Sequence, residues 1–113
     1  MKQFEIFLNG YKVGDYTQTV YDFPSTIGNF QRQPLPNAEL ETLLNAYIKF
    51  CLEAETIGSN CDYGEAWDDY FFAHENEHLY LIDKAKWQAK PPNKEPFDIT
   101  VPIFYSENEI MFR

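Results

Sequence analysis

Five consecutive residues, His74-Glu75-Asn76-Glu77-His78, have the types and the spacing for metal-assisted hydrolysis. On a helix, side chains four positions apart share a face. Both imidazoles would then reach one zinc ion, and Glu75 would act as general base on the metal-bound water. Phe71, Leu81 and Ile82 would shelter such a site. The set is incomplete, however. Zinc needs a third protein ligand, and the chain has no other histidine. Glu95, Glu107 and Glu109 remain, but they fall in proline-rich or strand-like sequence. Glu77 also places a charge where zinc hydrolases of this kind keep an uncharged residue. The reading is therefore that no metal is held. His74 and His78 flank an acidic helix end, and a zinc-dependent hydrolase stands last among the alternatives.

Other catalytic arrangements are weaker. Ser25, Ser59 and Ser106 have no nucleophile-elbow context. Cys51 and Cys61 lack basic neighbours that would depress a thiol pKa, and nearby acids would raise it. The five glycines are dispersed and build no phosphate-cradling loop. Asp68 and Asp69 are adjacent, and helical neighbours diverge by about a hundred degrees, so they do not form a catalytic pair. The chain is expected to be no enzyme and to need no cofactor.

Charge is the more informative feature. The net charge is -9. Glu53, Glu55, Asp62, Glu65, Asp68, Asp69, Glu75, Glu77 and Asp83 fall in a stretch with no Lys or Arg, bounded by Lys49 and Lys84. Outside it, nine acids face nine bases, so this stretch holds the whole excess. Such a run often serves only as a solvated face. Here the acids alternate with rings, in Asp62-Tyr63 and in Trp67-Asp68-Asp69-Tyr70, and Tyr and Trp are the residue types that anchor interfaces. The expected binding residues are Asp62, Tyr63, Glu65, Trp67, Asp68, Asp69, Tyr70, Glu75 and Glu77, facing a basic protein whose approach the field would steer. Direct contact with nucleic acid is excluded by the sign of the charge.

The elements that must position these residues can be read in outline. Gln3 to Leu8 alternates, and Asn9-Gly10 supplies the two positive-φ positions of a type I′ turn, which sets Leu8 opposite Tyr11 and Ile6 opposite Val13. From Asp22 to Pro36 no period is visible, and the stretch reads as an ordered loop pinned by Phe23, Ile27 and Phe30. Asn37 offers a helix cap. Leu40, Leu43, Leu44, Tyr47, Ile48 and Cys51 mark one face of a helix running to about Thr56. A linker, 59–64, precedes a second helix from near Glu65, with Trp67, Tyr70, Phe71 and His74 on one face. Periodicity leaves 79–82 open between helix and strand. Pro91, Pro92 and Pro96 exclude a helix after Asp83. Phe97 to Tyr105 reads as a strand that Pro102 confines to an edge or a bulge, and Ile110 to Arg113 as the closing strand. The expected fold is α+β in a single domain, 1–113, with two central helices on one face of an antiparallel sheet.

At 113 residues, with 44% hydrophobic and 18% aromatic residues, one ring-rich core is expected. No apolar run approaches a membrane span, and Glu5 interrupts any signal core. With two cysteines, and Cys51 on an apolar helix face, a reducing cytoplasm fits better than a disulfide. Oligomeric state cannot be read.

The profile resembles the small acidic immunity proteins that bacteria make against toxins of competing cells, many of them nucleases. Besides size, acidity and the ring-rich central segment, Asp22-Phe23-Pro24 with Gly28-Asn29-Phe30, and Val101-Pro102-Ile103-Phe104 with Glu109-Ile110-Met111-Phe112-Arg113, look like features of that group. The resemblance implies one-to-one binding to a cationic toxin domain. The same charge map admits an alternative, a phage or mobile-element inhibitor that mimics nucleic acid to occupy a defence enzyme. Evenly spaced carboxylates would favour mimicry, and clusters mixed with rings favour the toxin lock.

Overall fold

The computed structural model describes residues 2–22, 25–60 and 65–113. Its architecture is α+β, as the sequence predicts: a curled antiparallel sheet of seven strands with the helices inserted between β3 and β4. In chain order the elements are β1 (Gln3–Leu8), β2 (Tyr11–Asp22), β3 (Ser25–Arg32), α1 (Ala38–Asn60), α2 (Glu65–His74), β4 (Trp87–Lys90), β5 (Phe97–Asp98), β6 (Ile103–Ser106) and β7 (Glu109–Phe112). Across the sheet the order is β5-β4-β1-β2-β3-β7-β6. No helix among the described residues is long and apolar enough to cross a membrane.

The first hairpin forms where turn chemistry places it. Asn9 (φ 51°) and Gly10 (φ 87°) adopt the left-handed conformations of the turn, and Leu8 faces Tyr11. The predicted register then fails by one residue. Ile6 lies opposite Gly14, not Val13, because a bulge inserts Val13. Strict alternation would send Val13 and Tyr16 to opposite faces; the extra residue lets both enter the core.

The stretch after Asp22, read as a loop, contains strand β3, which is paired on both sides by β2 and β7. Its inward residues are Thr26, Gly28 and Phe30, a series too mixed to show a hydrophobic period. Each has a packing reason. The Thr26 hydroxyl pairs with the buried Tyr16 hydroxyl at 2.5 Å. Gly28 leaves room for the Tyr16 ring, since a Cβ there would stand 2.8 Å from it and closer still to the Thr17 carbonyl. Gly14 does the same for Phe30, whose ring would lie 2.6 Å from an added Cβ. Two glycines thus allow two large rings to lie flat on the middle of the sheet.

The C-terminal half also differs from the reading in detail. Trp87 begins a strand, with its indole N–H donating to the Leu81 carbonyl at 2.8 Å. The single strand expected from Phe97 to Tyr105 is two short ones, β5 and β6, which form the opposite edges of the sheet. Pro102 lies between them, where its missing N–H costs no ladder bond. Its carbonyl accepts the buried Tyr47 hydroxyl at 2.7 Å, tying α1 to the chain entering β6.

Helix α1 starts at the predicted cap: the Asn37 side chain accepts the Leu40 N–H at 3.1 Å. It buries Leu40, Leu44, Tyr47, Phe50, Cys51 and Ala54, while Leu43 stays exposed. Against the sheet these residues meet Ile6, Leu8, Phe30, Trp87, Phe104 and Ile110 in one core. α2 packs chiefly on α1 and not on the sheet.

Replacing Gly14 or Gly28 by Ala is expected to cost about 1–3 kcal/mol in chemical denaturation, as overpacking does. Gly10→Ala, which meets no neighbour, is expected to cost no more than about 1–2 kcal/mol through its positive φ. Equal losses at all three positions would contradict this packing.

Candidate functional site

Helix α2 has two faces of opposite character. Trp67, Tyr70, Phe71 and His74 recur at helical spacing and turn towards α1, half-buried. Tyr70 and Phe71 pack on Phe50. The Phe71 ring lies 5.3 Å from it and the Tyr70 ring is stacked at 5.9 Å, while Trp67 stacks on Phe71 at 5.3 Å. The Tyr70 hydroxyl donates to the Glu53 carboxylate of α1. Burial, then this bond and the charges of Glu53 and Glu77, push the phenol pKa up to about 12, so it keeps its proton and remains a donor.

The opposite face holds Asp68, Asp69, Phe72 and Ala73, all exposed. Asp68 and Asp69 lie one helical turn before Phe72, whose ring is 66% exposed. Glu75 and Glu77 follow in a 3-10 turn, Glu75–His78, and Asp83 in a π turn, Tyr80–Lys84. Among the described residues, none of Asp68, Asp69, Glu75, Glu77 and Asp83 lies within ion-pairing distance of a lysine or arginine. The nearest ion pair is internal to the turn: His74 Nδ1 stands 3.5 Å from Glu77 Oε1.

Of the residues expected to bind a partner, Asp68 and Asp69 share the outward face of α2, and Glu75 and Glu77 follow in the 3-10 turn, Glu77 beside His74. Trp67 and Tyr70 are half-buried: Tyr70 stacks on Phe50 of α1, and Trp67 on Phe71. Asp62 and Tyr63, with Cys61, lie outside the described residues, as does the side chain of Glu65. The exposed ring among the acids is Phe72, which sequence reasoning passed over. A signal for it was present. Once Trp67, Tyr70, Phe71 and His74 are assigned inward, helical geometry sends Phe72 outward with Asp68 and Asp69. Phe50 was passed over too, although Tyr47, Phe50 and Ala54 recur at three and four.

The histidine motif does not sit on one helix. α2 ends at His74 (φ -114°), and the next four residues form the 3-10 turn. There each residue advances about 120°, so a four-residue step does not return to the same face. The two imidazoles lie on different rings. His74 stands 4.5 Å from Tyr70; His78 stacks on Phe50 at 4.6 Å and meets Tyr47 edge-on at 5.9 Å. No group of three or more His, Cys, Asp or Glu gathers as a metal site among the described residues. Cys51 is a free, buried thiol whose pKa burial raises, the opposite of what a nucleophile needs.

No protein-family model matches the chain, and neither the curated proteins nor the solved structures contain a match to it.

Burial holds the His78 pKa below the ordinary imidazole value, with the charge of His74 acting in the same direction and Glu77 opposing both. As pH falls below about 6.5, the unfolded chain takes up this proton before the folded one does. His78 therefore supports folding fully above that pH and progressively less down to its folded-state pKa. Thermal melts across this range should show a slope that His78→Phe, which keeps a ring on Phe50, removes. An unchanged slope in the variant would mean that other groups carry it.

Proposed function

We propose that this chain is a non-enzymatic binding protein that locks onto a basic protein through the outward face of α2 and the 3-10 turn after it. In the fuller form of this reading it is a cytoplasmic immunity protein that neutralises a basic, nuclease-like bacterial toxin. One observation carries it: an exposed phenylalanine flanked by carboxylates that have no cationic partner in the described chain. A solvated face maintained for solubility needs no large ring at its centre. Interfaces do, because buried rings there supply much of the binding energy while surrounding charge sets rate and partner choice.

Mimicry of nucleic acid is the less favoured reading. It calls for carboxylates spaced like phosphates, whereas here Asp68 and Asp69 are paired and Phe72 follows one turn later. A cationic active site offers both lysine and arginine for the acids and apolar surface for the ring.

The test is neutralisation of a nuclease toxin domain encoded beside this gene, followed by titration of the purified pair. Phe72→Ala is expected to lose about 2 kcal/mol or more of affinity, roughly thirtyfold, mainly through faster dissociation. Asp68→Asn with Asp69→Asn is expected to slow association and flatten its salt dependence. Full protection by both variants, with affinities unchanged at low and high salt, would remove α2 as the contact surface.

A further inference from the structure

A second exposed apolar cluster is built from elements other than α2. Tyr11 (38% exposed), Leu43 (40%) and Tyr80 (45%) line one cleft of about 440 Å³, with Glu39 beside them. Three elements meet there: the start of β2, the first turns of α1 and the π turn. Asn9, which also lines the cleft, fastens the first hairpin to the π turn and to the chain just after it. Its side-chain amide donates to the Tyr80 hydroxyl at 2.9 Å, its side-chain carbonyl accepts the Lys86 N–H at 2.8 Å, and its own N–H donates to the Lys86 carbonyl at 2.8 Å. The Tyr80 hydroxyl oxygen thus accepts a bond from Asn9, and the residue as a whole stays 45% exposed. The Asn37 side chain, on the same rim, is occupied as the α1 cap. Among the described residues Glu39 makes no ion pair.

We infer that this cleft takes an arginine side chain presented by a basic protein partner. Two tyrosine rings and a leucine suit a long aliphatic stem, a planar guanidinium stacks on a ring face, and Glu39 offers the matching charge. An acidic side chain would be repelled by Glu39, and a purely apolar one would leave its charge unanswered. The inference extends the basic-partner reading, and its test does not need that partner.

The probe is N-acetyl-arginine amide, titrated into the full chain and followed by two-dimensional NMR, with the leucine and glutamate analogues as comparisons. Saturable shifts are expected at Asn9, Tyr11, Leu43 and Tyr80, several-fold weaker with the leucine analogue and absent with the glutamate one. Glu39→Gln is expected to weaken the arginine probe about 2- to 5-fold, the range of an exposed ion pair. Tyr80→Leu, which keeps apolar volume but loses the ring, is expected to weaken it about 2- to 5-fold. Asp68→Asn with Asp69→Asn should leave it unchanged. Equal binding of the leucine analogue would make the cleft a simple apolar slot. Shifts that follow protein concentration without probe would assign it to a second copy of the chain. Loss of the titration on changing Asp68 and Asp69 would reduce it to the general acidic field, and no shifts at all would empty it. Each of these overturns the inference without touching the toxin assay, whose failure would in turn leave the titration standing.

Discussion

Phe50 is the residue on which the rest of the α2 region depends. It projects from α1 into a nest of rings supplied by Tyr47, Tyr70, Phe71 and His78, and Tyr70 and Phe71 of α2 both rest on it. Aromatic pairs of this kind contribute about 0.5–1.5 kcal/mol each beyond the area they bury. A ten-residue helix with three acids, Glu65, Asp68 and Asp69, and no lysine or arginine does not hold its shape alone in water. Docking therefore decides both whether the helix exists and which way it faces.

That orientation has an electrostatic consequence. With the ring face committed to α1, Asp68 and Asp69 have only the outward direction left, and Glu75 and Glu77 follow in the turn after His74. The lysines nearest in sequence, Lys49 and Lys84, make no ion pair with them. The lysine and arginine ion pairs among the described residues are those of Lys12 with Asp15 and Arg32 with Glu41, both in the chain before α2. Repulsion among the acids opposes folding, and the aromatic nest offsets it.

How legible all this is in the sequence varies by element, for physical reasons. Asn9-Gly10 announces its hairpin because few dipeptides accept two positive φ angles. The face of α1 is legible because its apolar residues recur on one stripe, and Pro102 correctly consigns its neighbours to an edge. β3 is hidden because what its core positions require is room and a hydroxyl, so they hold Thr26 and Gly28 where a strand usually shows Val or Ile. On α2 the period is visible, but a period does not say which stripe is inside. Trp67 and Tyr70 look like interface anchors by type yet are half-buried on the inner stripe, whereas Phe72, apolar by type, is exposed. The histidine motif misleads for a related reason: its spacing means one face only if the helix continues, and α2 stops at its first histidine.

The most direct test of this account is hydrogen exchange along the chain in Phe50→Leu, which keeps apolar volume and removes the stacked ring. Amides of 67–74 are expected to lose protection by about tenfold or more, while those of β1 and β2 change much less. Protection of α2 that stays at the wild-type level, or falls no further than that of the sheet, would show that something other than this ring holds the helix and turns its acids outward.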